Sequence, residues 1–188
     1  MHTSQRGVSS LGAPGLRWVV GAHRRTGRLS RAIQHHQRAI AARTAQRLGQ
    51  AARSARLARL LYTQVEGPRH PDVAHALVEL GEIEEARERF AVARRCYQRA
   101  LVILGGPVRT LDPEVGRLRV RAGIMFAGIE RARGDLGAAD RAYQKAFADA
   151  RRWLGPRDPD RAGLLNNWGM LRKYQARFTE AIRRCAAF

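Results

Sequence analysis

Apolar and small residues recur at steps of three and four positions along most of the chain, which predicts amphipathic helices and an all-α fold. After residue 67 the same order appears three times: a large apolar residue and a small one in a first helix, then small residues in a second. Because small side chains let two helix backbones approach closely, each unit predicts an antiparallel helix pair. The matched packing positions are Leu80, Gly81, Ala93, Tyr97 and Ala100, then Phe126, Ala127, Ala139, Tyr143 and Ala146, and finally Trp168, Gly169 and Ala181.

A proline-containing linker precedes each unit. Residues 67–71 recur as residues 155–159, and a looser version occupies residues 106–113, so that the final prolines lie 42 and then 46 residues apart. Proline is favoured in the first turn of a helix, and the His or Asp before it can cap that turn. Proline linkers that recur at this period are typical of repeat proteins, in which neighbouring units stack to bury a continuous core.

The matched positions and the linkers resemble those of tetratricopeptide repeat proteins, in particular the kinesin-light-chain-like subclass. The resemblance covers residues 67–188 as about 2.5 to 3 repeats, the last one truncated, and implies a right-handed superhelical stack of antiparallel helix pairs. Two residues depart from the pattern, since Glu88 and Ala176 stand where the family usually turns on glycine. The second unit also carries four extra residues in its first helix, and the last helix is expected to start near Phe178.

This resemblance also implies a function and a surface that performs it. In the family, the first helix of each pair lines a concave groove that binds a partner protein or peptide, and the chain is therefore expected to be an interaction scaffold. Asn amides there can bond a peptide backbone, and Arg or Lys can meet acidic residues. The groove positions are His75, Val78, Glu82 and Glu85, then Arg121, Ile124, Gly128 and Arg131, and finally Asn166, Met170 and Lys173.

The first third of the chain is less regular. Residues 1–28 are rich in Gly, Ser and Arg without a lasting period, which predicts a disordered basic tail. Residues 29–66 are rich in Ala and Arg and read as helical, with an interruption near Gly49. Positions 42 residues before the second helix of the first unit hold Ala51, Ala55 and Ala58, which indicates half of a degenerate repeat. A matching first helix is not expected, because His35 and Arg38 stand where Leu77 and Leu80 should be.

Charge adds a second candidate function. The net charge is +19, and residues 1–60 contain twelve arginines and no acidic residue. Residues 29–61 could therefore bind nucleic acid, for instance as a helix-turn-helix in which Gly49 makes the turn and Arg53 and Arg56 face the groove. The ratio of 33 arginines to two lysines also fits a compositional bias with no dedicated ligand. Both interpretations stay open at this point.

Signals of catalysis or of metal binding are weak. His35 and His36 are adjacent and diverge on a helix, and no cysteine pair has the spacing of metal ligands. Residues 82–85 offer three carboxylates, but Arg87 and Arg89 follow one turn later, which is usual on a solvated helix face. We therefore expect no enzymatic activity and no cofactor.

Cys96 and Cys185 lie in helical patterns, and no apolar run reaches the roughly 18 residues that a membrane span needs. A reduced, cytoplasmic protein is the simplest expectation. The third unit is followed by no polar capping helix, so an apolar edge would be left exposed. We expect either self-association through that edge or a longer array of which this chain is a part.

Overall fold

The structure, a computed structural model, describes the backbone of residues 15–105 and 112–185. It describes the side chains of residues 25–105, 112–177 and 179. Seven α-helices and no strands occupy these residues. In chain order they are α1 (Gly15–Thr44), α2 (Leu48–Glu66), α3 (Pro71–Ala86), α4 (Phe90–Leu104), α5 (Pro113–Ala132), α6 (Leu136–Trp153) and α7 (Pro159–Cys185).

Helices that are adjacent in sequence pack together along the whole stack. The pairs α1–α2, α3–α4 and α5–α6 form antiparallel hairpins, and α7 packs on α6. The odd-numbered helices also contact one another from pair to pair, whereas α2, α4 and α6 make no such contacts in the described part of the chain. The stack is therefore curved, with an inner face formed by α1, α3, α5 and α7 and an outer face formed by α2, α4 and α6.

The proline linkers start helices as predicted. Pro71 and Pro113 occupy the first turn of α3 and α5, and Pro159 opens α7. The side chain of the preceding residue accepts a backbone N–H in each case: the Nδ1 atom of His70 lies 3.3 Å from the nitrogen of Asp72, and Asp112 and Asp158 make equivalent bonds of 2.9 Å. These bonds satisfy amides that have no partner inside the helix.

Each hairpin turns on a residue with positive φ. Gln46, Glu88 and Gly134 adopt φ angles of 58°, 59° and 82° between the two helices of successive pairs. These residues lie 42 and then 46 residues apart, and we use the same offsets to define equivalent positions in neighbouring pairs. Glu88 thus adopts the conformation for which the family uses glycine. The four extra residues of the second unit are found in α5, which has 20 residues against 16 in α3.

The prediction of a second helix starting near Phe178 is wrong. Ala176, 42 residues after Gly134, is the next equivalent of the turn residues, but α7 continues through it to Cys185 without interruption. Alanine is the strongest helix former, and the left-handed conformation costs an L-residue roughly 1–2 kcal/mol. The last unit is therefore one long helix and not a pair.

The prediction of a disordered tail up to residue 28 is also wrong for residues 15–28, which belong to α1. Residues 1–14 of that predicted tail lie outside the described residues. Helix α1 packs on its neighbours through Ala32, His36 and Ala39, all buried. Their equivalents in α3 are Ala74, Val78 and Gly81, which are buried as well. Residues 29–66 thus contribute a full hairpin and not half of one.

The sequence comparison of this region with α3 found no matching first helix because of His35 and Arg38. Their equivalents Leu77 and Leu80 lie beneath the preceding helix α2 as well as α4. In the described part of the chain no helix covers positions 35 and 38 as α2 covers Leu77 and Leu80, and these two positions hold a partly buried histidine and an exposed arginine.

The predicted packing positions lie mostly at the centre of the hairpins. A Cβ atom placed on Gly81 would lie 2.5 Å from the Cε1 atom of Tyr97, so only glycine fits there without a shift. Gly169, in contrast, has nothing within 4 Å of such an atom, because none of the described helices packs on that face of α7. The buried members are Leu80, Gly81, Ala93, Tyr97, Ala100, Ala127, Ala139, Tyr143 and Ala146, while Phe126 and Trp168 are partly buried and the side chain of Ala181 lies outside the described residues.

Helix α7 is held on α6 by Trp168. Its ring lies 5.8 Å from that of Phe147, and its Nε1 atom donates a hydrogen bond of 2.8 Å to Asp140. The same aspartate binds Arg172 at 2.9 Å. Leu165, Met170 and Tyr174 are exposed on this last described helix, at the edge of the stack. Self-association through this edge stays a prediction.

Three glutamates are buried among the described residues: Glu79, which is 3% exposed and pairs with Arg43, and two others at repeated positions. Glu84 and Glu130 are 0% and 1% exposed, and they occupy equivalent positions near the ends of α3 and α5. Each pairs with an arginine three residues later and with one from the preceding outer helix; these arginines are Arg87 and Arg56 for Glu84, and Arg133 and Arg94 for Glu130. The sequence-based interpretation of residues 82–85 as a solvated face is therefore wrong for Glu84.

Candidate functional site

A cavity of about 550 Å³ opens on the inner face, where the N-terminal ends of α3, α5 and α7 lie side by side. Each of these three helices begins at the final proline of a linker, so the linkers determine where these ends lie. Val115 and Leu118 give the cavity a partly apolar wall. The remaining lining residues carry charge or can bind protons, apart from Pro71: His70, Asp72, His75, Asp112, Glu114, Arg117, Arg121 and Asp160.

A chain of ion pairs crosses the inner face beside this cavity. Arg43 of α1 donates to Glu79 at 2.7 Å and lies 3.5 Å from Glu82, both on α3. Arg121 of α5 donates to Glu82 at 2.7 Å. Three successive inner helices are thereby connected, and the charges of Glu82 and Arg121 offset each other.

Burial shifts the pKa of two groups in this region. It raises the pKa of Glu82, although the nearby Arg121 opposes that change. It lowers the pKa of His75, and the positive charge of Arg121 lowers it further. The lowered pKa favours the neutral imidazole of His75, which can donate one hydrogen bond and accept another.

Arg117 connects α5 to the start of α7. Its guanidinium donates to Asp158 at 2.6 Å and to Asp160 at 2.9 Å. The bond from Arg117 lowers the pKa of Asp158, and the two bonds together fix the position of α7 at the edge of the cavity. Arg117 and Arg121 are both paired with carboxylates. The acidic lining residues Asp72, Asp112 and Glu114 therefore give the cavity an excess of negative charge.

The structure brings only some of the predicted groove residues together. His75 and Arg121 line the cavity, and Glu82 lies next to it in the chain of ion pairs. Glu85 accepts a hydrogen bond of 2.9 Å from the hydroxyl of Tyr97. The positions that lie along α5 and α7 away from the cavity are Gly128, Arg131, Asn166, Met170 and Lys173.

Two predicted groove residues are misplaced, because Val78 and Ile124 are buried. Val78 shares one helix face with Ala74 and Gly81, at steps of four and three, and that face points into the hairpin. Ile124 stands at the equivalent position of α5. A residue with a large apolar side chain on this face fills the core and is not available to a partner.

Sequence reasoning missed the lining residues near the helix starts, above all Asp112, Glu114 and Arg117. A signal was present, since these residues end the proline linker or follow it closely. The sequence prediction concerned the middle turns of the inner helices and not their first turns. Among the described residues, no group of three or more His, Cys, Asp or Glu side chains is arranged to hold a metal ion.

The helix-turn-helix interpretation placed the turn at Gly49, which instead lies in the first turn of α2. The chain reverses earlier, at Gln46. Arg56, expected to face a nucleic-acid groove, donates to the buried Glu84 at 2.6 Å. The described helices contain no segment long and apolar enough to cross a membrane.

Comparison with known sequence families agrees with this architecture. Residues 41–104 match the tetratricopeptide repeat family. Residues 41–104 therefore contain tetratricopeptide repeats. The match begins upstream of residue 67 and spans the end of α1 and all of α2, α3 and α4, so these repeats include the basic region that the sequence pattern only partly recognised. No curated protein matches the chain.

Solved structures show the same fold. The crystal structure of a putative kinesin light chain from Podosopora anserina with nearly identical TPR-like repeats has a TM-score of 0.63 and 17% sequence identity, over 82% of this chain and 71% of that one. A second crystal structure, of a point variant of that protein, has a TM-score of 0.64 with the same identity and coverage. The predicted all-α, right-handed superhelical stack of tetratricopeptide type is confirmed.

Proposed function

We propose that this chain is an interaction scaffold that holds a segment of a partner protein against its inner face. The tetratricopeptide fold supports protein binding in general terms. The observation that favours this particular surface is the cavity of about 550 Å³ at the junction of three inner helices, with apolar and charged groups in one place.

The charge of the cavity favours a basic partner segment. The chain carries +19 overall, yet Asp72, Asp112 and Glu114 lie together at this cavity while its two arginines are paired with other carboxylates. A lysine or arginine of a partner would meet these carboxylates, and an apolar neighbour would cover Val115 and Leu118. Arg121, expected from sequence to bind acidic residues, is already occupied by Glu82.

The test uses peptides selected from a random phage-displayed library against the full chain. We expect the selected peptides to combine basic and apolar residues, and to bind a Glu114→Lys variant at least about tenfold more weakly. Glu88→Lys is the matched control, because it makes the same change of charge at an exposed position outside the cavity. Peptide affinity for the control should stay within about twofold.

Equal affinity of the selected peptides for the wild-type chain and Glu114→Lys would contradict the proposed surface. Selection of acidic peptides that bind both variants alike would show instead that other parts of the basic chain bind proteins.

A further inference from the structure

Two grooves lie on the outer face of the described helices, because α2, α4 and α6 do not contact one another there. The first outer groove lies between α2 and α4 above α3, has a volume of about 260 Å³ and is lined by Arg56, Arg59, Leu77, Leu80, Val92, Arg95 and Cys96. The second outer groove lies between α4 and α6 above α5 and has a volume of about 410 Å³.

The two grooves are the same feature in successive repeats. Every residue of the first has an equivalent in the second: Arg56 corresponds to Gln98 and Arg59 to Leu101, 42 residues on. The five residues from α3 and α4 correspond, 46 residues on, to Gly123, Phe126, Ala138, Arg141 and Ala142. The groove is thus a property of the repeat and not an irregularity of one loop.

Each groove joins an apolar floor to a free cation on the same edge. Leu77 and Leu80 form the floor of the first groove, and Phe126 takes the equivalent place in the second. Arg95 and Arg141 are equivalent and exposed, and neither pairs with another described side chain. The one carboxylate of either groove is Asp149, which accepts a bond of 2.8 Å from Arg119.

The ridges beside the grooves expose apolar side chains at matched positions. Leu60 of α2 is 46% exposed and its equivalent on α4, Val102, is 63% exposed. Isolated exposed apolar residues are ordinary on protein surfaces, but their recurrence at matched positions beside two grooves with apolar floors is a feature of surfaces that bind proteins.

We propose that the two outer grooves together dock one acidic, amphipathic helix or segment of a partner protein. Its apolar side chains enter the grooves and cover Leu60 and Val102, and its carboxylates meet Arg95 and Arg141. A nucleic acid would use the same cations but would leave the apolar floors and ridges exposed to water, so the chemistry favours a protein. This surface is separate from the inner cavity, and the partner segment it fits has the opposite charge.

The probe is a fluorescent amphipathic peptide of about 20 residues, with leucine along one helical face and glutamate along both borders of that face. We expect it to bind the full chain. Versions with lysine for glutamate or serine for leucine should bind at least about tenfold more weakly. A single-stranded oligonucleotide of the same charge should not displace the peptide.

The variants locate the binding. Arg95→Glu with Arg141→Glu should weaken peptide binding at least about tenfold, and Leu60→Ser with Val102→Ser should weaken it without a change of charge. Arg69→Glu with Arg157→Glu is the matched control, since both arginines are exposed in linkers outside the grooves. Its affinity should stay within about twofold, and thermal melts should show all variants folded.

Three results would overturn the proposal. These are no binding of the peptide, an equal loss of peptide affinity in the groove and linker variants, and undiminished binding of the peptide that has serine in place of leucine. Competition by the oligonucleotide together with undiminished binding of the serine version would indicate a nucleic-acid surface. Because Glu114→Lys does not alter either outer groove, its effect on basic peptides is a separate result, and either surface can fail without the other.

Discussion

An Arg94→Met variant is expected to lower the free energy of unfolding by about 3 kcal/mol, because it leaves a buried carboxylate with too few partners. Glu130 is 1% exposed and is paired with Arg94 across the contact between α4 and α5. Arg94 also lies over the ring of Phe126, 5.6 Å from its centroid. Methionine keeps much of the apolar stem of arginine but supplies no charge to Glu130. Equilibrium denaturation in urea measures the change.

Two controls separate this effect from a general loss of charge. Arg133→Met removes the other partner of Glu130, but Arg133 is half exposed and 3.4 Å away, so the expected loss is about 1 kcal/mol. Adding Glu130→Met to Arg94→Met should restore most of the stability, since no buried charge is then left unpaired. Equal losses in the two single arginine variants would contradict the burial of Glu130.

Acidification from pH 7.5 to pH 5 is expected to reduce the free energy of unfolding by about 2 kcal/mol through His36. Burial lowers the pKa of His36 from 6.5 to about 4, and the nearby His75 contributes to that change. The ring centroids of these two histidines are 4.5 Å apart, and the Nε2 atom of His36 is buried with no hydrogen-bond partner. The neutral imidazole is therefore the form that fits between α1 and α3.

The direction follows from the difference between the folded and unfolded chains. Because the folded pKa of His36 lies below the unfolded value, the unfolded chain binds the proton more readily between about pH 6.5 and 4. The contribution to stability is complete above pH 6.5 and is lost as the pH falls through this window. The carboxylates of Glu79 and Asp72 favour the proton and limit the loss, and Tyr62 of α2 faces the ring at 6.1 Å.

Replacement of His36 with phenylalanine provides the control. The variant keeps an aromatic ring but cannot bind a proton at this position, so its stability should change by clearly less between pH 7.5 and 5, because only the other titrating groups of the chain still contribute. Parallel urea titrations of the wild-type chain and His36→Phe at both pH values measure this difference. An equal dependence on pH in the two proteins would show that His36 does not titrate in a buried site.

The hairpins after residue 67 could be predicted because their pattern is local. Proline, a capping residue and small residues at fixed steps determine where α3, α4, α5 and α6 begin and how closely they pack. The same rules failed for α1, because His35 and Arg38 stand where α3 has Leu77 and Leu80. They also failed at Ala176, where they predicted a turn. A turn there requires a second helix to pack against the first, but the described chain continues as one helix.

The site was predicted less well than the fold for a physical reason. A groove depends on the curvature of the whole stack, and curvature arises from contacts between helices about 40 residues apart in the chain, which periodicity does not encode. Helix periodicity alone could not tell that Val78 faces the hairpin while His75 faces the cavity. The burial of Glu84 depends on Arg56 from another pair, so the local pattern of acid and base around it indicated solvent.

Small residues at matched positions let the paired helices nest, and the whole fold depends on that nesting. Its most direct measurement compares the free energies of unfolding of Gly81→Ala and Gly169→Ala, two equivalent positions in first helices. Gly81→Ala should destabilise the chain by about 1–3 kcal/mol, because the added carbon meets Tyr97. Gly169→Ala should stabilise it by about 0.5–1 kcal/mol, because the carbon meets nothing and alanine favours the helix. The same sign for both substitutions would contradict the nesting of α3 against α4.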